Sequence, residues 1–192
     1  MRKTLLEIMQ EENLLLNEQA LQGTDKLTKH PYSDDYEPLF EPWRDKPVRL
    51  LEIGAYHGAS TIAWDKYFPL GDITVVDIQP RKSLENIKGR VDESRTRILI
   101  GDAYTQEFAD TLGTFDIIND DGPHSLESMK KCIELYFPKL NSGGVLVIED
   151  IPSNDWFDEF IKMVPDEKYE CIDYSKRGKG ASDSKVFLVW RK

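Results

Sequence analysis

Short apolar runs along the middle of the chain alternate with segments whose apolar positions recur every three or four residues. The runs at 48–53, 73–76, 97–100, 115–119 and 144–148 predict buried strands, and the periodic segments at 59–68, 81–88, 105–112, 125–140 and 153–163 predict helices. Two last apolar runs, 169–174 and 185–190, flank the glycine-rich stretch 175–183 and predict an antiparallel hairpin. Strand–helix alternation of this kind predicts an α/β fold, a doubly wound, mostly parallel sheet of seven strands with helices on both faces. Upstream, Leu5, Leu6, Ile8, Met9, Leu14, Leu15, Leu16 and Leu21 stand among Glu and Gln, which predicts one helix over 2–22 laid on the sheet. Its Leu14–Leu16 run is wider than a clean stripe, so the same helix is a candidate contact for a homo-oligomer. Residues 23–47 are rich in Pro, Asp and aromatics, with a short helix expected from Ser33. The chain therefore divides into an N-terminal helical segment and covering loop, 1–47, and a core, 48–192, within one structural domain.

Composition narrows the partners. A formal net charge of -10 argues against nucleic acid as a bulk electrostatic partner. No apolar stretch approaches membrane-spanning length, and no signal-peptide core follows Met1-Arg2-Lys3. Cys132 and Cys171 have no metal-ligand spacing, so a reduced, cytoplasmic protein is expected.

Candidate chemistry gathers where strands end. Asp120-Asp121-Gly122-Pro123-His124 follows one predicted strand and Glu149-Asp150 follows the next, with one helix between them. That connection makes the two strands parallel neighbours and brings their C-terminal ends together. Four carboxylates and an imidazole then share one crevice, a costly charge density unless a cation is bound or some of the groups are protonated.

The first core strand ends in Glu52-Ile53-Gly54-Ala55-Tyr56-His57-Gly58-Ala59-Ser60, a glycine-bearing turn into a helix. A dinucleotide fingerprint needs a second glycine two residues after the first, where backbone approaches pyrophosphate. Tyr56 occupies that position, which argues against NAD or FAD, and no Walker lysine suggests ATP. The next strand ends at Asp77-Ile78, where a carboxylate can accept from a ribose diol, and the third ends at Gly101-Asp102-Ala103. A tight turn and two rim acids fit a nucleoside without a pyrophosphate.

These residues resemble the class I S-adenosylmethionine-dependent methyltransferases, with their Rossmann-like seven-stranded sheet and terminal hairpin. More narrowly, Gly23-Thr24-Asp25-Lys26, His30, Tyr32, Tyr36, Leu51-Glu52-Ile53-Gly54 and Trp64-Asp65-Lys66-Tyr67-Phe68-Pro69 are similar to the metal-dependent sugar O-methyltransferases of macrolide biosynthesis, the macrocin and mycinamicin type. So are Asp120-Asp121-Gly122-Pro123-His124 and Val147-Ile148-Glu149-Asp150. The resemblance covers residues 23–152 and implies a cofactor site of Glu52, Gly54, Tyr56, Gly58, Ser60, Asp77, Ile78, Asp102, Ala103 and Asp120; His30 and Tyr32 either close over the cofactor or pack the N-terminal segment. It also implies a Mg²⁺ or Mn²⁺ ion on Asp121, Glu149 and Asp150, with His124 as general base. Pro123 departs from the family, which has a small hydroxyl residue there.

The implied reaction is methyl transfer from S-adenosylmethionine to a hydroxyl of a small sugar-like or polyol acceptor. Oxygen-rich ligands suit a hard cation, and an imidazole suits proton removal. The 175–183 turn is either a solvated hairpin tip or a loop in which Lys176, Arg177 or Lys179 attracts an anionic sugar as acceptor. Competing readings are a catechol-type aromatic O-methyltransferase and a non-catalytic nucleoside-binding or assembly module.

Overall fold

The apolar runs form one seven-stranded sheet, in the order β3-β2-β1-β4-β5-β7-β6. Its strands are β1 (Val48–Ile53), β2 (Gly71–Asp77), β3 (Thr96–Ile100), β4 (Phe115–Asp120), β5 (Leu140–Ile148), β6 (Lys168–Asp173) and β7 (Lys185–Trp190). The computed structural model describes residues 2–15, 23–26, 29–79, 83–177 and 181–192. β1 to β5 pair in parallel, while β7 runs antiparallel to both β5 and β6. The doubly wound sheet and terminal hairpin are as the alternation predicts. The order reverses between β1 and β4, which places a crevice beyond their C-terminal ends.

Period-two alternation divides the side chains between two cores. Leu50, Ile73, Val75, Ile117, Val145 and Val147 face a core shared with α1 (Leu5–Glu11), α2 (Ser33–Phe40), α3 (Ala59–Tyr67) and α4 (Ser83–Ile87). Leu51, Ile53, Val76, Ile118, Leu146 and Ile148 face the other core, under α5 (Gln106–Asp110), α6 (Leu126–Tyr136) and α7 (Asp155–Met163).

The N-terminal helix is a correction. Instead of a helix over 2–22, α1 opens on a Thr4–Glu7 capping box and ends after Glu11. Asn13 follows in the left-handed region at φ 54° and turns the chain, so that the Thr24 amide donates to the Leu14 carbonyl at 2.7 Å. Leu16 and Leu21, which counted toward the long helix, lie outside the described residues. Leu5, Ile8, Met9 and Leu14 are buried in the chain's own core. β5 also differs, starting at Leu140 instead of Gly144. Gly143 and Gly144 exchange main-chain hydrogen bonds with Arg191, pairing that two glycines conceal from an apolar-run reading. Among the described residues no helix is long and apolar enough to cross a membrane.

Candidate functional site

A pocket of about 1030 Å³ opens beyond the C-terminal ends of β1 to β5. Its wall includes Gly54, Tyr56, Ser60, Asp77, Ile78, Asp102 and Ala103 on one side and Asp121, His124 and Asp150 on the other. Thr24, Asp25 and Lys29 close it from the N-terminal segment.

The first side rests on main-chain geometry. Gly54 has φ 100°, and a Cβ there would lie 2.1 Å from the Asp121 carbonyl oxygen. Only glycine allows the β1 turn to touch the end of β4. One oxygen of Asp77 accepts from the amides of Ala55 at 3.1 Å and Tyr56 at 3.0 Å; the other accepts from Gln79 at 3.0 Å. Asp77 thus holds the turn from the neighbouring strand, with Tyr56 in the left-handed region at φ 45°. Asp102 accepts from the Tyr104 amide at 2.9 Å. Tyr56 and Ile78 are exposed, apolar surface on the pocket rim.

Several residues expected at the cofactor stand behind the wall. Glu52 is fully buried, accepting from Ser60 Oγ and Trp64 Nε1, both at 3.0 Å. Burial pushes its carboxyl up to about 7 against the pull of Lys26. Gly58, at φ 79°, is the N-cap of α3. Asp120 points into the α6 core, where the Tyr104 hydroxyl donates to it at 2.5 Å; burial pushes it up to about 6 against the hydrogen bonds from Tyr104 and Cys132. His30 and Tyr32 follow the packing alternative: both are buried behind Asp150. The Tyr32 hydroxyl donates to Asp150, and His30 Nδ1 lies 3.4 Å from Asp150 and 2.7 Å from Ser184 Oγ.

The second side is built from side chains far apart in sequence. Asp121, His124 and Asp150 each offer one ligand atom within 4.8 Å of the others, a set a metal ion could occupy. His124 Nε2 is 3.7 Å from Asp121 Oδ1, while its Nδ1 is buried without a hydrogen-bond partner. His124 and Asp150 both have left-handed backbone, φ 54° and 53°. Non-glycine residues pay for that conformation, and such strain gathers at sites. Glu149 lies beneath the pocket wall, taking hydrogen bonds from Tyr36 and Lys26. The Lys26 ammonium also contacts Asp121 Oδ2 at 2.5 Å. Burial opposes that charge, yet Asp121 and Glu149 hold Lys26 well above its ordinary value. Burial pushes Glu149 up, Lys26 pulls against it, and Asp121 and Asp150 add to the rise.

Neither Lys26 nor Tyr104 has a role legible in the sequence. The only signal for Lys26 was its place beside Asp25 in the Gly23–Lys26 cluster; nothing there announces a buried ammonium. Tyr104 follows Asp102 by two residues, and its hydroxyl occupies the space a Cβ on Gly122 would need. In the 175–183 turn, Lys176 is exposed and 3.6 Å from Asp173. Lys179 and the Arg177 side chain lie outside the described residues.

A family model described as a methyltransferase domain matches residues 51–151. The chain is 34% identical over 166 residues to the 8-demethyl-8-alpha-L-rhamnosyl tetracenomycin-C 2'-O-methyltransferase of Streptomyces olivaceus, covering 81% of this chain and 42% of that protein. It is 34% identical over 138 residues to the mycinamicin VI 2''-O-methyltransferase of Micromonospora griseorubida, covering 66% and 33%. The chain thus spans between a third and a half of the length of these relatives. The solved MycE methyltransferase of the mycinamycin pathway, in complex with Mg and SAH, superposes with TM-score 0.73 at 25% identity, over 99% of this chain and 55% of that one. A methyltransferase of Podospora anserina shares the fold with TM-score 0.65 at 17% identity, over 100% and 89%.

Proposed function

The chain belongs to the methyltransferase domain family, and on that premise we propose an S-adenosylmethionine-dependent, divalent-metal-assisted O-methyltransferase acting on a hydroxyl of a small sugar-like or polyol acceptor. The observation that carries this reading is a single pocket joining the Gly54 turn to Asp121, His124 and Asp150. A nucleoside-sized cofactor and an acceptor can meet there. The relatives named as 2'-O-methyltransferase of a rhamnosyl tetracenomycin and 2''-O-methyltransferase of mycinamicin VI, and the MycE complex with Mg and SAH, support the same chemistry.

Asp77 and Asp102 are the proposed acceptors for the cofactor's nucleoside, with Tyr56 and Ile78 giving apolar faces to its base. The donor set fits a hard divalent cation, since carboxylate oxygens converge from two strand ends. Asp121, Glu149 and Asp150 would hold it, Asp121 and Asp150 from the pocket wall and Glu149 from beneath it. When bound, the cofactor supplies an electrophilic methyl group and the cation supplies charge that favours an ionised acceptor oxygen. The chain's own work is positioning and proton removal. The Gly54 turn and the β4–β5 ends fix donor and acceptor in one crevice, which makes the displacement effectively unimolecular. His124, on the pocket wall beside Asp121, would take the hydroxyl proton as the new carbon–oxygen bond forms.

The test is calorimetric titration with S-adenosylhomocysteine, followed by methyl transfer to a panel of sugar, polyol and catechol acceptors with and without chelator. Turnover of a sugar or polyol that stops with chelator and returns with Mg²⁺ or Mn²⁺ is expected. Preference for the catechol would assign an aromatic acceptor, and no binding of the cofactor product would overturn the reading.

A further inference from the structure

Lys26 is a lysine where lysines are rarely found. Only 2% of its side chain is exposed, and its ammonium bridges Asp121 at the end of β4 and Glu149 at the end of β5. These are two of the three carboxylates proposed above to hold the divalent cation. The ammonium and the cation therefore call on the same oxygens.

Charge makes the consequence definite. Asp121, Glu149 and Asp150 carry three negative charges when ionised, with Glu149 buried and Asp121 and Asp150 part-buried on the pocket wall. Two phenols, Tyr32 and Tyr36, donate to Asp150 and Glu149 but add no charge. Without Lys26 the cluster would be three carboxylates repelling one another beside the imidazoles of His30 and His124, an arrangement that opens or takes up protons. One ammonium offsets a third of that charge, and a divalent cation would offset the remainder.

Resting on the metal-assisted reading of the same site, we propose that Lys26 is a resident counter-cation. It keeps the acidic cluster assembled while no metal is bound, and it lowers the affinity for the metal that later enters. Lys26 belongs to the segment whose Thr24 and Asp25 wall the pocket, so its ion pairs also tie that wall to the strand ends. It touches neither cofactor nor acceptor in this scheme; it is a positioning residue.

Lys26→Met keeps most of the apolar stem and removes the charge. Mn²⁺ affinity, read by electron paramagnetic resonance or calorimetry, should tighten about tenfold or more, because a nearby like charge is gone. In parallel, the melting temperature without metal should fall, and Mg²⁺ should raise it by more than it raises that of the wild type. Lys26→Arg, which retains the charge, should leave Mn²⁺ affinity near the wild-type value. Wild type that binds Mn²⁺ while Lys26→Met binds it equally or more weakly overturns the counter-cation role and leaves the metal site standing. If neither protein binds Mn²⁺, the metal reading itself fails. A Lys26→Met chain that folds only with Mg²⁺ present supports the proposal, and one unfolded with and without Mg²⁺ overturns it in favour of a purely structural tie.

Discussion

The two sides of the pocket both present carboxylates and satisfy them in opposite ways. On the β2–β3 side, Asp77 and Asp102 accept from main-chain amides, two of them two residues on and two in the β1 turn. On the β4–β5 side, Asp121, Glu149 and Asp150 are met by side chains of Lys26, Tyr36 and Tyr32. Lys26 lies 95 residues from Asp121 and 123 from Glu149. The first side is fixed by main-chain hydrogen bonds and, among the described residues, carries no buried countercharge. The second is assembled by tertiary packing and depends on cations. A nucleoside with neutral hydroxyls suits one, and a divalent ion suits the other.

The largest expected effect comes where the two sides touch. Gly54→Ala would place a Cβ 2.1 Å from the Asp121 carbonyl oxygen, at φ 100°. A cost on the order of 4 kcal/mol or more in denaturant unfolding is expected, from a backbone clash added to left-handed strain. Gly143→Ala is the control, with φ 79° and nothing within 4 Å of its Cβ. It should cost only about 1 kcal/mol. Equal losses at both glycines would show that the contact between the sides is not what requires Gly54.

Next in size is the division of labour. His124→Ala should lower kcat by about 10²–10⁴-fold, the usual general-base contribution, and leave S-adenosylhomocysteine affinity unchanged. An unchanged kcat, with chemistry shown to be rate-limiting, would leave His124 a local structural role.

Smaller, and sharper, is a crossed pair. Asp77→Ala should weaken S-adenosylhomocysteine binding by about 1–3 kcal/mol, the range for a lost charge-assisted hydrogen bond, without changing Mn²⁺ affinity. Asp121→Asn should do the reverse. If each substitution weakens both ligands equally, the two sides act as one unit and the contrast is lost.

The smallest effect is a pH slope. Glu52 has its folded value raised to about 7, by burial first, from an ordinary 4.5. The folded state holds that proton more tightly, so its contribution to stability is complete below 4.5 and is lost as pH rises through about 7. The metal-free protein should therefore melt at lower temperature as pH rises across this window, and Glu52→Gln should flatten the decline. A wild-type curve that is flat or rising there would place the Glu52 carboxyl in its ordinary range.

Much of the fold is legible because its signals are local. β1 and β7 begin and end where the apolar runs do, at Val48–Ile53 and Lys185–Trp190. The strand-end acids and the Gly54 turn fall in place because a parallel sheet brings its C-terminal ends together. What escapes is tertiary. Asn13 ends α1 through one left-handed residue, a choice that leucine periodicity does not encode. Glu149 was expected to face the pocket, yet Tyr36 and Lys26 engage it from the N-terminal segment, and sequence spacing carries no register for a contact 123 residues long. His30 and Tyr32 were placed near the site by motif, but burial behind Asp150 follows from aromatic packing, with Tyr32 5.1 Å from Tyr174 and 5.4 Å from Tyr36.

Asp120 and Asp121 are consecutive, yet the first is bound by Tyr104 in the α6 core and the second by Lys26 on the opposite side. The pleat therefore makes β4 a two-track ruler, with adjacent letters read by different compartments. Deleting one residue within Phe115–Asp120 would exchange the two carboxylates, pressing one toward the Lys26 cluster and the other toward the thiol of Cys132. Insertions and deletions in this protein should thus be tolerated at the exposed Ser142 and Gly143 long before they are tolerated in the six residues of β4.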